Sequence, residues 1–154
     1  MLHDMLRRIL RNMDLSENEI DESIYDAMLL SVDVAHALHP NKKEKMDITN
    51  KPVMGKGFCI KQACSQSYAT DAQAIAILCQ LCDEKGIPYQ RFVNRSDSRG
   101  GSTLGSIAGT LLPVKTVDIG IPILAMHSAC ELMGVRDMKA LSDCVTAFFG
   151  YLGK

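Results

Sequence analysis

The chain has 154 residues, 47% of them hydrophobic and 23% charged, which is the balance of an ordinary folded domain and excludes a disordered or fibrous protein. Seventeen basic against eighteen acidic side chains give a formal charge of −1, so no global field draws in nucleic acid, an anionic membrane or a strongly acidic partner. A chain of this length holds a core without cross-links, and its six cysteines, scattered through apolar segments, read as reduced, buried thiols.

Met1-Leu2-His3-Asp4 has an acid where a signal peptide would be basic, and no apolar run approaches the roughly 20 residues of a membrane span, so a cytoplasmic location is expected. Leu2, Met5, Leu6, Ile9, Leu10 and Met13 recur at helical spacing opposite Arg7, Arg8 and Arg11. Ser16 and Glu19 form a capping box that opens a second helix with Ile20 and Ile24 on its apolar face. Glu17, Glu19 and Glu22 read as solvated acids of that helix. Residues 27–34 are a compact apolar stretch read as a buried strand, and residues 39–56, rich in lysine and bounded by Pro40 and Gly55, are a surface loop.

Phe58 to Lys61 predicts a strand, and Thr70 with Gln73 caps a helix from about Asp71 to Lys85 that Gly86 and Pro88 close. Tyr89 to Val93 returns as a strand. The small-residue loop from Ser98 to Gly105, Arg99 included, feeds a short helix to about Leu112, and Val114 to Ile119 is a further strand. Asp137 to Leu152 supplies a final amphipathic helix. Strands alternating with helices predict a mostly parallel sheet covered by helices, a three-layer α/β/α sandwich.

Three of the four histidines fall in two short segments, one of which places Asp33 at the end of the buried strand with His36 and His39 just beyond it, and the other of which contains His127. The carboxyl ends of strands are where α/β sheets hold ligands and metals. The plainer alternative is that Asp33 caps a loop and the histidines are locally hydrogen-bonded. Cys79 and Cys82 form the one close cysteine pair, and without partners at ligand spacing they read as core packing on a helix face. The Gly100–Gly105 loop could cradle a phosphate at the following helix, although it matches neither G-x-G-x-x-G nor the P-loop pattern. Lys61, in an otherwise apolar strand, either snorkels to the edge or awaits a carboxylate.

Taken in order, Ser31-Val32-Asp33-Val34-Ala35-His36-Ala37-Leu38-His39-Pro40-Asn41, Lys61 with Tyr68-Ala69-Thr70-Asp71-Ala72, Val93-Asn94-Arg95-Ser96-Asp97, Gly101-Ser102-Thr103-Leu104-Gly105 and Met126-His127-Ser128-Ala129-Cys130-Glu131 closely resemble the carboxyl-terminal part of aspartyl aminopeptidases. The resemblance covers nearly the whole chain. It departs from the family at Arg99-Gly100, where relatives commonly have Cys-Gly, and at Ser128-Ala129-Cys130-Glu131, where Ser-Ile-Arg-Glu is more usual. It implies a single partial catalytic domain over residues 1–154, of a cytosolic di-zinc exopeptidase that removes acidic residues from peptide N-termini and assembles as a homo-oligomer, a tetrahedral dodecamer.

Carried over by position, Asp33 and His127 would be zinc ligands, with Asp33 also lining the substrate site. His36 would be catalytic, steadying the scissile carbonyl or the tetrahedral intermediate, Lys61 would read the acidic side chain and Tyr68 would hold the substrate. The family's remaining ligands, its general-base glutamate and its inserted assembly domain have no counterpart in this sequence. The isolated chain is therefore expected to bind zinc weakly and to turn over slowly or not at all. A second reading is a catalytically inactive truncated homologue serving as an assembly or interaction piece, and a third is a phosphate-binding module built on the Gly100–Gly105 loop.

Overall fold

A computed structural model of the chain describes residues 1–98 and 100–151. Leu6 and Leu10 of α1 (Leu2–Asn12) pack against Ile20 and Ile24 of α2 (Glu17–Asp26), with Leu15, Leu112 and Val114 completing a small cluster. The expected capping box closes the turn between them, Ser16 Oγ accepting from the Glu19 N–H while the Glu19 carboxylate accepts from the Ser16 N–H at 2.8 Å. Glu17 and Glu19 are thus engaged rather than simply solvated, because Glu17 also accepts from both Arg7 and Arg11 across the α1–α2 pair.

Apolar runs give the strands β1 (Met28–His36), β2 (Phe58–Gln62), β3 (Tyr89–Val93) and β4 (Lys115–Leu124), and the two-residue β5 (Leu132–Met133) adds to β4. The sheet order is β1-β4-β2-β3. Its long ladders, β1 with β4 and β2 with β3, are parallel, whereas β2 meets β4 antiparallel over three residue pairs. The sheet is therefore mixed but rich in parallel pairing, as expected. β4 runs on to Leu124, past the expected end at Ile119, because Ile121 and Ile123 continue its buried side and the β1 ladder reaches Ile123.

Alternation divides the two faces. Phe58, Ile60, Val117, Ile119, Ile121 and Ile123 face α3 (Ala72–Lys85) and α5 (Val135–Phe149), which bury Ala74, Leu78, Ala140 and Cys144 against them. The other face takes α4 (Leu104–Leu111), whose Gly105 backbone lies directly on Ser31 of β1 and Asp118 of β4.

Several expectations are corrected in detail. Asp71, not Thr70, caps α3, accepting from the Ala74 N–H at 2.8 Å, while the Thr70 hydroxyl turns inward to accept from the Ala63 N–H and donate to the Tyr68 carbonyl. The last helix begins at Val135 because the buried Asp137 carboxylate accepts from the Gly55 and Gly57 N–H groups and ties the 53–57 loop to α5. That helix ends at Phe149; its expected end at Leu152, and Arg99 in the small-residue loop, lie outside the described residues. The 39–56 excursion is a surface loop with one 3-10 turn, Lys43–Lys45. Cys59, Cys82 and Cys144 are buried and Cys82 faces Cys144 at 3.8 Å, but Cys64 and Cys130 are exposed.

A Cβ at Gly105 would stand 2.7 Å from the Ser31 Cβ and 2.8 Å from the Asp118 carboxylate, whereas one at Gly109, in the same helix, would meet nothing within 4 Å. Gly105→Ala is therefore expected to destabilise by about 1–3 kcal/mol and Gly109→Ala to be neutral or to stabilise by up to about 1 kcal/mol, as read by urea denaturation. Equal effects would contradict the close approach. The Arg11 and Arg7 guanidiniums hold the Glu17 carboxyl down at about 2, against an ordinary 4.5. A depressed folded value gives a stabilisation present in full above pH 4.5 and lost as pH falls toward 2. Glu17→Gln should abolish that acid-side loosening, measured by amide exchange in α1 between about pH 2 and 5; an unchanged acid limb would contradict the pairing.

Candidate functional site

β1 and β4 run parallel, so their carboxyl ends open on one edge of the sheet, and the register sets Asp33 beside Gly120 and His36 beside Ile123. That neighbour must be a glycine, since a Cβ at Gly120 would lie 2.7 Å from the Val34 carbonyl carbon. His127 follows β4 by three residues. It sits in a turn where both Ala125 and His127 take left-handed backbone, with φ of 56° and 67°, and the Glu131 carboxylate accepts from the His127 N–H at 2.5 Å. Non-glycine residues in that region persist only where their surroundings hold them.

β2 runs against β4, so Lys61 stands inside the sheet directly opposite Asp118, and its side chain reaches toward the Asp33 end of β1. Its ammonium donates to the Val34 carbonyl at 3.1 Å, lies 3.7 Å from an Asp33 carboxylate oxygen and stands 4.9 Å from the centre of the Tyr68 ring. Lys61 is only 2% exposed. Burial pulls its pKa below the ordinary lysine value, and Asp33 and Asp118 oppose that pull. Of the two readings of Lys61 open in the sequence, the structure supports the carboxylate partner.

Asp118 is wholly buried. Its Oδ2 accepts from the Thr103 hydroxyl at 2.6 Å and from the Ala69 N–H at 2.5 Å, while Oδ1 has no hydrogen-bond partner. The first turn of α4 presses on the same carboxylate through Gly105. Asp118 thus ties the start of α4 to β4 through the Thr103 hydroxyl.

His36 stands on a cavity of about 530 Å³ whose floor includes Tyr68 and Phe92 and whose rims are formed by the 39–47 segment and by Asn94, Arg95 and the following small residues. The His36 ring lies 6.5 Å from that of Phe92, and Asn94 Nδ2 donates to the Tyr68 hydroxyl at 3.0 Å. Partial burial first, then the proximity of His127 and Lys61, lowers the His36 pKa from the ordinary 6.5, so its imidazole is neutral at pH 7 and offers one N–H donor.

Asp33, His36, Lys61, Tyr68 and His127 therefore gather around one sheet edge. Asp33 and His127 offer an exposed carboxylate and an exposed imidazole, donors that suit zinc, yet two donors do not close a tetrahedral site. Among the described residues no three His, Cys, Asp or Glu side chains converge to hold a metal. The residues fit one side of a zinc site. Asp118, Asn94 and Phe92 belong to the site and were missed in the sequence as site residues; the available signal was a carboxylate inside the apolar run Val117-Asp118-Ile119, in a chain with a lysine inside another.

The family model described as aminopeptidase I zinc metalloprotease (M18) matches residues 1–149. The chain is similar to a probable M18 family aminopeptidase 2 of Clostridium novyi, 47% identical over 137 residues that make up 89% of this chain and 32% of that protein. It is also similar in structure to a chain of the Ape4 and Nbr1 complex, with a TM-score of 0.91, 33% identity and coverage of 97% of this chain and 28% of that one. Against the mApe1 dodecamer of S. cerevisiae the TM-score is 0.69 at 26% identity, covering 80% of this chain and 27% of that one. The chain spans about a third of the length of the curated relatives it matches.

Asp118→Ala would leave the Lys61 ammonium short of a counter-charge and the Ala69 N–H and Thr103 hydroxyl unpaired. It is expected to destabilise by about 3–5 kcal/mol, and Asp118→Asn by less, in chemical denaturation. A cost for Asp118→Ala within about 0.5 kcal/mol of zero would remove Asp118 from the centre of the site.

Proposed function

The chain belongs to the aminopeptidase I zinc metalloprotease (M18) family, and on that premise we propose that it forms one side of the metal and substrate site of an aminopeptidase that releases acidic residues, Asp or Glu, from peptide N-termini. The observation carrying this reading is the meeting of Asp33, His36 and His127 at the ends of parallel strands, beside a cavity and the buried Lys61.

Asp33 and His127 would each hold zinc, two ions in the complete site, and residues beyond this chain would complete the coordination. Zinc, when bound, supplies Lewis acidity for amide hydrolysis. His36 is neutral at pH 7, so its N–H is available to donate to the scissile carbonyl oxygen as negative charge develops there. Lys61 would attract the acidic side chain of the first residue; Tyr68 covers it, so direct contact requires that ring to turn aside. Tyr68, its hydroxyl held by Asn94, would orient the substrate.

The whole protein is proposed to work as a homo-oligomer in the cytoplasm. The dodecamer of the yeast relative supports the first part, and six free cysteines support a reducing compartment. The alternative of an assembly or interaction piece draws on one specific observation: α1 exposes Leu2, Met5 and Ile9, and α4 exposes Leu104, Ile107 and Leu111.

The test is Asp33→Ala in a protein that joins this chain to the rest of its catalytic domain. Zinc-dependent release of N-terminal Asp or Glu is expected to be abolished while the fold, read by circular dichroism, is kept. Undiminished turnover would sink the assignment of Asp33.

A further inference from the structure

Asp33 and His127 do not line the cavity beside His36. From His36 the cavity runs away from that pair toward the 39–47 segment, where Lys42 and Lys45 contribute to its wall, with Arg95 on the opposing rim. Arg95 donates to the Glu44 carbonyl, so the two rims are strapped together across the outer side.

The carboxylates near this wall are partly committed. Asp47 accepts from the Thr49 and Asn50 N–H groups and from the Asn50 side chain, and Asp97 accepts from Arg95 at 2.6 Å. Glu44 approaches Lys42 only to 3.9 Å, and Lys45 has no carboxylate within 4 Å among the described residues. The lysine wall therefore keeps positive charge available to a ligand, while the buried Lys61 does not line the cavity.

We propose that Lys42 and Lys45 form a cationic subsite that binds a carboxylate side chain on the leaving portion of the peptide, beyond the bond to be cut. This rests on the aminopeptidase reading. If the peptide N-terminus is held at the Asp33 and His127 end and the first carbonyl at His36, the segment that continues along the cavity is the remainder of the substrate. A second acidic residue there meets the lysines, so the preference concerns the sequence that follows the first residue and is separate from the reading of the first side chain by Lys61.

The experiment is a nuclear magnetic resonance titration of the 154-residue chain with three amidated tripeptides, Asp-Ala-Glu, Asp-Ala-Gln and Asn-Ala-Glu, followed at the Gly100 and Gly101 amides, which border the cavity. Asp-Ala-Glu is expected to bind about five-fold more tightly than Asp-Ala-Gln, a ratio that shrinks as salt rises. The Lys42→Gln/Lys45→Gln double variant, changed at surface positions, should bind the two equally. Equal binding of Glu and Gln peptides by the native chain, a ratio unchanged in the double variant, or no titratable shift with any peptide would overturn the subsite. A double variant that loses discrimination between Asp-Ala-Glu and Asn-Ala-Glu instead would place the lysines at the first side chain and also overturn it. If native binding separates Glu from Gln but not Asp from Asn, the subsite stands and the acidic first-residue reading fails.

Discussion

A buried carboxylate opposite a buried ammonium organises this chain. Asp118 and Lys61 face each other across the only stretch where β2 and β4 pair, and both are inaccessible to water. Charges in that setting persist only with partners, and the partners come from separate parts of the chain: Thr103 at the start of α4, the Ala69 amide next to Tyr68, the Val34 carbonyl and the Asp33 carboxylate. One charge system thus fixes α4, the loop containing Tyr68 and the end of β1 relative to one another.

The candidate site is the exposed rim of that system. Lys61 lies across the ladder from Asp118, which attracts its charge, and contacts Asp33 on its outer side, so the carboxylate offered at the sheet edge is backed by charge in the centre of the sheet. Parallel pairing of β1 with β4 brings the Asp33 and His127 ends together, while Gly120 and Gly105 allow the backbones to approach as closely as this requires. The cavity beside His36 depends on the same loop, through Tyr68 and its hydrogen bond from Asn94. Stability and recognition share residues here, which explains why polar groups that are costly to bury are retained in so small a core.

Much of this was legible in the sequence because its signals are local. The capping box at Ser16, the glycine stop after α3 and the alternation of apolar runs are read from neighbouring residues, and the corresponding elements lie where expected. Asp33 and His36 stood out as polar residues at and just beyond a predicted strand end, and His127 through its segment Met126-His127-Ser128. Asp118 did not, since a carboxylate in an apolar run acquires meaning only from the strand beside it, and the antiparallel step that supplies Lys61 is a tertiary fact. Thr70 misled as a cap, and Asp137 as the first residue of the last helix, for a related reason: their oxygens are taken by distant or inward backbone amides, of Ala63 in one case and of Gly55 and Gly57 in the other. The positive rim at Lys42 and Lys45 reads in sequence as a surface loop, because the Arg95 contact to the Glu44 carbonyl that joins it to the far side of a cavity is made across 51 residues.

The most direct test of the central charge system is observation of the Lys61 ammonium itself, by nitrogen-detected resonance of side-chain-labelled lysine. A buried, charged group bonded to the Val34 carbonyl should give one ammonium signal with slow hydrogen exchange, and that signal should vanish in Lys61→Arg and move in Asp118→Asn. A Lys61 resonance that exchanges as fast as those of the surface lysines and ignores Asp118→Asn would show that the side chain lies in water, and the organising role assigned to the pair would fall.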